Sequence, residues 1–178
     1  MSLLRFFRRD PTDGWPPCRA VPLQFDLARG ALNGVPFGAP LPALRPLGRP
    51  SNAEPQPLNQ YGFAPLGMEV VLNERGVSCF VCVFQPAGSE IDLGRYPGFA
   101  PCTLNLRLPG SAVHQFTPAS VRADVERCLG PLQWQDLGAE SIDSIVIGAT
   151  WMGFGFDPED RLAFVDLEPR AAYEDIDR

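Results

Sequence analysis

Residues 67–84 read GMEVVLNERGVSCFVCVF, and their pattern decides the fold class. Met68, Val70 and Leu72 are interleaved with Glu69 and Asn73. That period of two belongs to a strand, whose successive side chains point to opposite faces. Asn73-Glu74-Arg75-Gly76 supplies a polar turn, and a second run rich in Val, Phe and Cys follows, so the stretch predicts a β-hairpin. The plan returns at residues 152–167, MGFGFDPEDRLAFVDL, with Met152, Phe154 and Phe156 on one face and an acidic turn at Asp157–Asp160 before a second apolar run. Two hairpins of one design imply two copies of one unit.

The flanking segments repeat as well. Pro22–Arg29 alternates Leu23, Phe25 and Leu27 with polar neighbours, and Pro101–Leu108 alternates in the same way. Asn33-Gly34 offers a tight turn, and Tyr61–Leu66, Ser144–Thr150 and Trp151–Phe156 read as further strands. Pro40–Leu47 allows one or two helical turns, limited by Pro42 and Pro46. A clearer helix is expected from Thr117 as cap, with Pro118 at its first position and Val121, Val125, Cys128 and Leu129 on one face. Each helix ends in Leu-Gly shortly before a proline, at Leu47-Gly48-Arg49-Pro50 and at Leu129-Gly130-Pro131. Glycine accepts the left-handed conformation that halts a helix, and proline prevents its resumption.

The expectation is an α+β chain of two pseudo-repeats, each a short helix packed on an antiparallel sheet and closed by a hairpin. Residues 1–20 form an N-terminal arm, 21–86 the first repeat, 87–100 a Gly/Pro-rich linker, 101–168 the second repeat and 169–178 an acidic tail. One helix on three or four strands buries too little apolar surface to stand alone, so the halves are expected to share a core.

A short helix ending in Leu-Gly before a proline, then a loop and strands closing on an apolar hairpin, resembles the unit of the β-lactamase inhibitor protein family. It also resembles small lipoproteins of the outer-membrane assembly machinery that share that fold. The resemblance spans about residues 22–168 and implies tandem α+β units and a role in binding another protein.

Composition narrows the function classes. The chain has 178 residues, 45% of them hydrophobic, and a formal charge of −6, with every basic residue an arginine. A net negative charge disfavours binding to phosphate backbones, so no nucleic-acid partner is expected. No apolar run approaches the roughly 20 residues that cross a bilayer. The N-terminus, MSLLRFFRRD, places its apolar residues before its arginines, the reverse of a secretory signal. That arm is the basis of an alternative, a membrane-surface scaffold, although membrane attachment is not the leading expectation. Cys18, Cys79, Cys82, Cys102 and Cys128 are an odd set mostly within apolar runs, which fits a reduced cytoplasm.

No catalytic residue, metal site or cofactor is expected. Cys79-Phe80-Val81-Cys82 has C-x-x-C spacing, but on a strand its two thiols point to opposite faces and no second such pair follows. His114 is the only histidine, so the alternative of a small hydrolase-type enzyme rests on it. Asp157, Glu159 and Asp160 lack the spacing that wraps oxygens around calcium and read as a solvated turn. Surface recognition of an unidentified protein partner is therefore the leading expectation. Phe80 and Phe84 lie on a strand apolar on both faces, which needs cover from within the chain or from a partner. Gly153 and Gly155, after Trp151, leave one strand face bare for a close approach. Trp134, between two glutamines in an expected loop, is the aromatic most expected to be exposed.

Overall fold

The computed structural model describes residues 10–51, 59–85, 98–110, 112–136 and 141–172. The strands expected at residues 22–29 and 101–108 form as β1 (Leu23–Asp26) and β7 (Leu104–Arg107). Between them come β2 (Ala31–Leu32) and β3 (Val35–Pro36), joined by the turn at Asn33-Gly34, where both residues have positive φ. The first hairpin is β5 (Met68–Asn73) with β6 (Gly76–Val83), preceded by β4 (Gln60–Phe63). The second half adds β8 (Val113–Phe116), β9 (Gln133–Asp136), β10 (Ser141–Ile147) and the second hairpin, β11 (Thr150–Phe156) with β12 (Leu162–Pro169).

These strands build two sheets. The smaller runs β3-β2-β1-β7-β8, and the larger runs β4-β5-β6-β12-β11-β10-β9. The expectation that each half carries its own antiparallel sheet is corrected here. Each sheet draws strands from both halves, and the smaller one is mixed because β1 and β7 pair in parallel, with Leu23 opposite Leu104. The reason is legible in β6. Its apolar residues on both faces suit a strand inside a sheet, and it pairs with β5 on one edge and β12 on the other.

The core lies between the inner faces of the two sheets. Leu23, Phe25, Leu104 and Leu106 of the smaller sheet meet Met68, Val70, Phe80, Met152, Phe154 and Val165 of the larger. Phe25 and Phe80 pack edge to face across this layer with ring centroids 6.4 Å apart, and Phe37 joins them. Each such phenylalanine contributes about 1.5–3 kcal/mol by leaving water.

The helices are shorter than the pattern suggests. Leu41–Leu47 is a 3-10 helix, and Pro46 inside it lacks the N–H that an α-helix would direct to residue 42. The second helix, α1 (Arg122–Leu129), begins after the expected cap at Thr117. Thr117–Ser120 instead closes a turn in which Ser120 N–H donates to the Thr117 carbonyl at 2.9 Å. The effective cap is Asp124, whose carboxylate accepts the Val121 N–H at 3.2 Å. Of the expected apolar face, Val125 is fully buried and Cys128 and Leu129 pack against the core, but Val121 falls outside the helix at its N-cap.

Parts of the expected terminal and linker segments are integrated. Of the N-terminal arm, residues 1–9 lie outside the described residues, but Asp10 and Asp13 both pair with Arg49 at 3.2 Å. Pro17 bridges Arg49, so this stretch is stitched to the end of the first helix. The expected linker is described only from Gly98, where Ala100 N–H bonds the Ala64 carbonyl at 2.8 Å. Pro169, placed at the head of the expected tail, is the last residue of β12.

Candidate functional site

Trp134 stands on β9, the strand that ends the larger sheet, instead of in the loop expected for it. It is 66% exposed, the most exposed large hydrophobic residue among those described. The segment is a strand because it pairs antiparallel with β10 from Gln133 to Asp136. The Gln133 carbonyl accepts the Ser144 hydroxyl at 3.3 Å, and the Gln135 side chain accepts the Trp151 indole N–H at 3.3 Å. With Gln135 committed to one face, alternation sends Trp134 to the other. There it lies opposite Asp143 in the β9–β10 register, beside the partly buried Ile145.

The carboxylate next to the indole is ion-paired. Arg122 of α1 reaches Asp143 at 2.7 Å and Asp160 at 2.9 Å, and its guanidinium lies 4.3 Å above the Phe156 ring. Partial burial works against the Arg122 charge, but hydrogen bonds and attraction from the two aspartates outweigh it and leave the pKa above the ordinary arginine value. The result is an exposed aromatic on a sheet edge, with an ion-paired aspartate beside it. An exposed tryptophan of this kind suits packing against another protein.

The remaining surface candidates are corrected. Phe80 and Phe84 have no exposed surface: Phe25 and Phe37 cover Phe80 from within the first half, and β12 of the second half closes the edge of β6. Trp151 is only 2% exposed. The bare strand face at Gly153 and Gly155 is filled from within: the Trp151 ring lies over Gly153, and the Phe164 ring lies over Gly155. Pleating alone does not reveal this, because it depends on which way a large neighbouring side chain leans.

The groups that catalysis would use are not assembled into one site among the described residues. His114 sits on β8 opposite Leu106, and neither β8 nor its partner β7 carries a cysteine. Cys79, Cys82 and Cys102 are buried, and Cys18 and Cys128 are half-buried. Burial raises every one of these thiol pKa values, with Asp166 and Glu168 adding to the effect at Cys79. Such thiols stay protonated and are poor nucleophiles. The turn at 157–160 is solvated at Pro158–Asp160, as expected, but not at Asp157. The nearly buried Asp157 carboxylate accepts the Glu159 N–H at 3.0 Å, the Arg161 N–H at 2.8 Å and the Arg161 Nε–H at 2.8 Å, and so serves as the organiser of the hairpin.

Among the described residues, no helix is long and apolar enough to cross a membrane. No protein-family model matches the chain, and no curated protein matches it. Among solved structures it is similar to the crystal structure of an extracellular protein containing a SCP domain from Bacillus anthracis str. Ames, at 14% identity and a TM-score of 0.44. That match covers 78% of this chain and 45% of the other, so the chain spans less than half the length of that structure.

Proposed function

We propose that this chain is a non-enzymatic protein-binding module of the inhibitor, immunity or adaptor kind. The observation that carries the proposal is Trp134, exposed on the end strand β9, whose far edge has no strand partner among the described residues. An aromatic anchor beside an open strand edge offers a partner both a buried ring and main-chain hydrogen bonds. Five unpaired thiols favour a reducing compartment such as the cytoplasm.

A tandem architecture fits this reading. Both halves run strand, turn or hairpin, short helix, strands and closing hairpin. The glycines that end the two helices, Gly48 and Gly130, share one conformation, with φ of 94° and 95°. Such units, joined through β1–β7 and β6–β12, place end strands at both margins of the larger sheet.

The test is capture by immobilised full-length protein, with Trp134→Ala alongside. One partner held by the native chain and lost with the tryptophan, while thermal stability is unchanged, is the expected result. Equal capture by both proteins, or by neither, overturns the reading.

A further inference from the structure

The outward face of the smaller sheet carries a shallow depression of about 310 Å³, distant in the fold from β9 and independent of the protein-binding reading. Its floor is the parallel pair β1–β7, which sets Gln24 beside Asn105 and Asp26 beside Arg107. Its rim is the turn after β1, bearing Arg29, and the β2–β3 turn, bearing Asn33.

The hydrogen-bonding state of these groups is one-sided. The Asn33 Oδ1 accepts the Gln24 N–H at 2.7 Å, and because a backbone N–H can only donate, this fixes the amide so that its NH2 remains to donate. The Asn105 Oδ1 accepts from Gln115 Nε2 at 3.1 Å, and the Asn105 NH2 is left to donate. The only carboxylate, Asp26, already accepts the Ala28 N–H at 3.0 Å and the Arg29 N–H at 3.2 Å, and its second oxygen lies 3.9 Å from the Arg29 guanidinium. Arg107, exposed at the end of β7, has no carboxylate partner among the described residues. Among the described residues its five donors have no ion-pair partner, in a chain whose net charge is −6.

We propose that this depression binds a small oxyanion, a carboxylate or phosphate group, with Arg107 as its anchor and the NH2 groups of Asn33 and Asn105 as orienting donors. The Asn33 and Asn105 carbonyls and one Asp26 oxygen are engaged internally while amide donors and positive charge remain, and that suits an oxyanion. A planar guanidinium grips either group through two parallel N–H···O bonds. Val113 bounds one side, where the carbon part of the ligand would rest. Its exposure of 54% would fall on binding.

The experiment is a titration of full-length, isotopically labelled protein with inorganic phosphate in one arm and tricarballylate in the other. It is run at low ionic strength, because salt screens exposed charge. The expected result is saturable shifts of the Gln24, Asn33 and Asn105 signals. Arg107→Gln should weaken affinity about tenfold or more, equal to about 1.4 kcal/mol, while Arg75→Gln, on the β5–β6 turn, should leave it unchanged. Saturation in the phosphate arm alone identifies a phosphorylated ligand, saturation with tricarballylate alone a carboxylate ligand, and saturation in both a general oxyanion site. No saturation in either arm, or equal affinity in Arg107→Gln with the fold intact by its spectrum, overturns the proposal.

Discussion

The indole of Trp151 lies so close over the Cα of Gly153 that a methyl group at residue 153 would run into the ring, with the Ile142 Cδ1 only 2.6 Å away on the other side. Nothing about the Gly153 backbone demands glycine; the demand is for space. Gly153→Ala is therefore expected to cost about 1–3 kcal/mol by overpacking, seen as a lower urea midpoint. In a Trp151→Leu background the same change should cost much less, because the two residues share one contact and their effects are not additive. Equal costs in both backgrounds would refute the assignment.

Arg122 ties α1 to the larger sheet through Asp143 and Asp160 and through the face of Phe156. Arg122→Lys keeps the charge but loses the fork and the stacked plane. A loss of about 0.5–1.5 kcal/mol is expected, kept modest because the side chain is one-third exposed and screened by water. Denaturation at low and high salt checks it, and the native–variant difference should narrow with salt.

Asp157 gives the molecule an acid-sensitive turn. Burial pushes its pKa up, but the hydrogen bonds and charge of Arg161 outweigh that and hold it below the ordinary aspartate value. A carboxylate with a depressed native pKa stabilises the fold above its unfolded pKa and loses that contribution as pH falls through the native value. Asp157→Ala should destabilise by about 1–3 kcal/mol at neutral pH through unpaired turn amides. Part of that difference should disappear as pH falls below the ordinary aspartate range, where the unfolded carboxylate takes up its proton first and the native one only at lower pH. Stability measured against pH for both proteins decides this; a pH-independent difference would show that charge has no part in it.

The thiols should divide into two classes. Cys18 and Cys128 are half-buried and should react with a disulfide reagent in the folded protein, but slowly, since burial raises Cys128 to about 11. At pH 8 that leaves a thiolate fraction on the order of one in a thousand. Cys79, Cys82 and Cys102 should react only after denaturant is added. Rapid labelling of all five in the native state would contradict the burial found here.

Much of the fold was legible because the hairpins at 68–83 and 150–169 are fixed by alternation and by polar turns, both local signals. The strands that escaped notice, β8 and β9, are short and polar outward, and they are strands because neighbours pair with them. Trp134 was readable as exposed from its glutamine flanks. The burial of Phe80, Phe84 and Trp151 was not, since it depends on which strand arrives alongside. The depression by Arg107 left no sequence signal, because Asp26 and Arg107 meet only through the parallel pairing of distant segments.

That parallel pairing has a consequence for biosynthesis. As the chain leaves the ribosome, β1 and β6 are made early, and each waits for a neighbour from the second half: β7 for one, β12 for the other. Until β12 emerges, the most apolar strand of the molecule presents an open edge to the cell. Chaperone dependence of the nascent chain, and sensitivity of its yield to translation speed through the second half, follow from that delay.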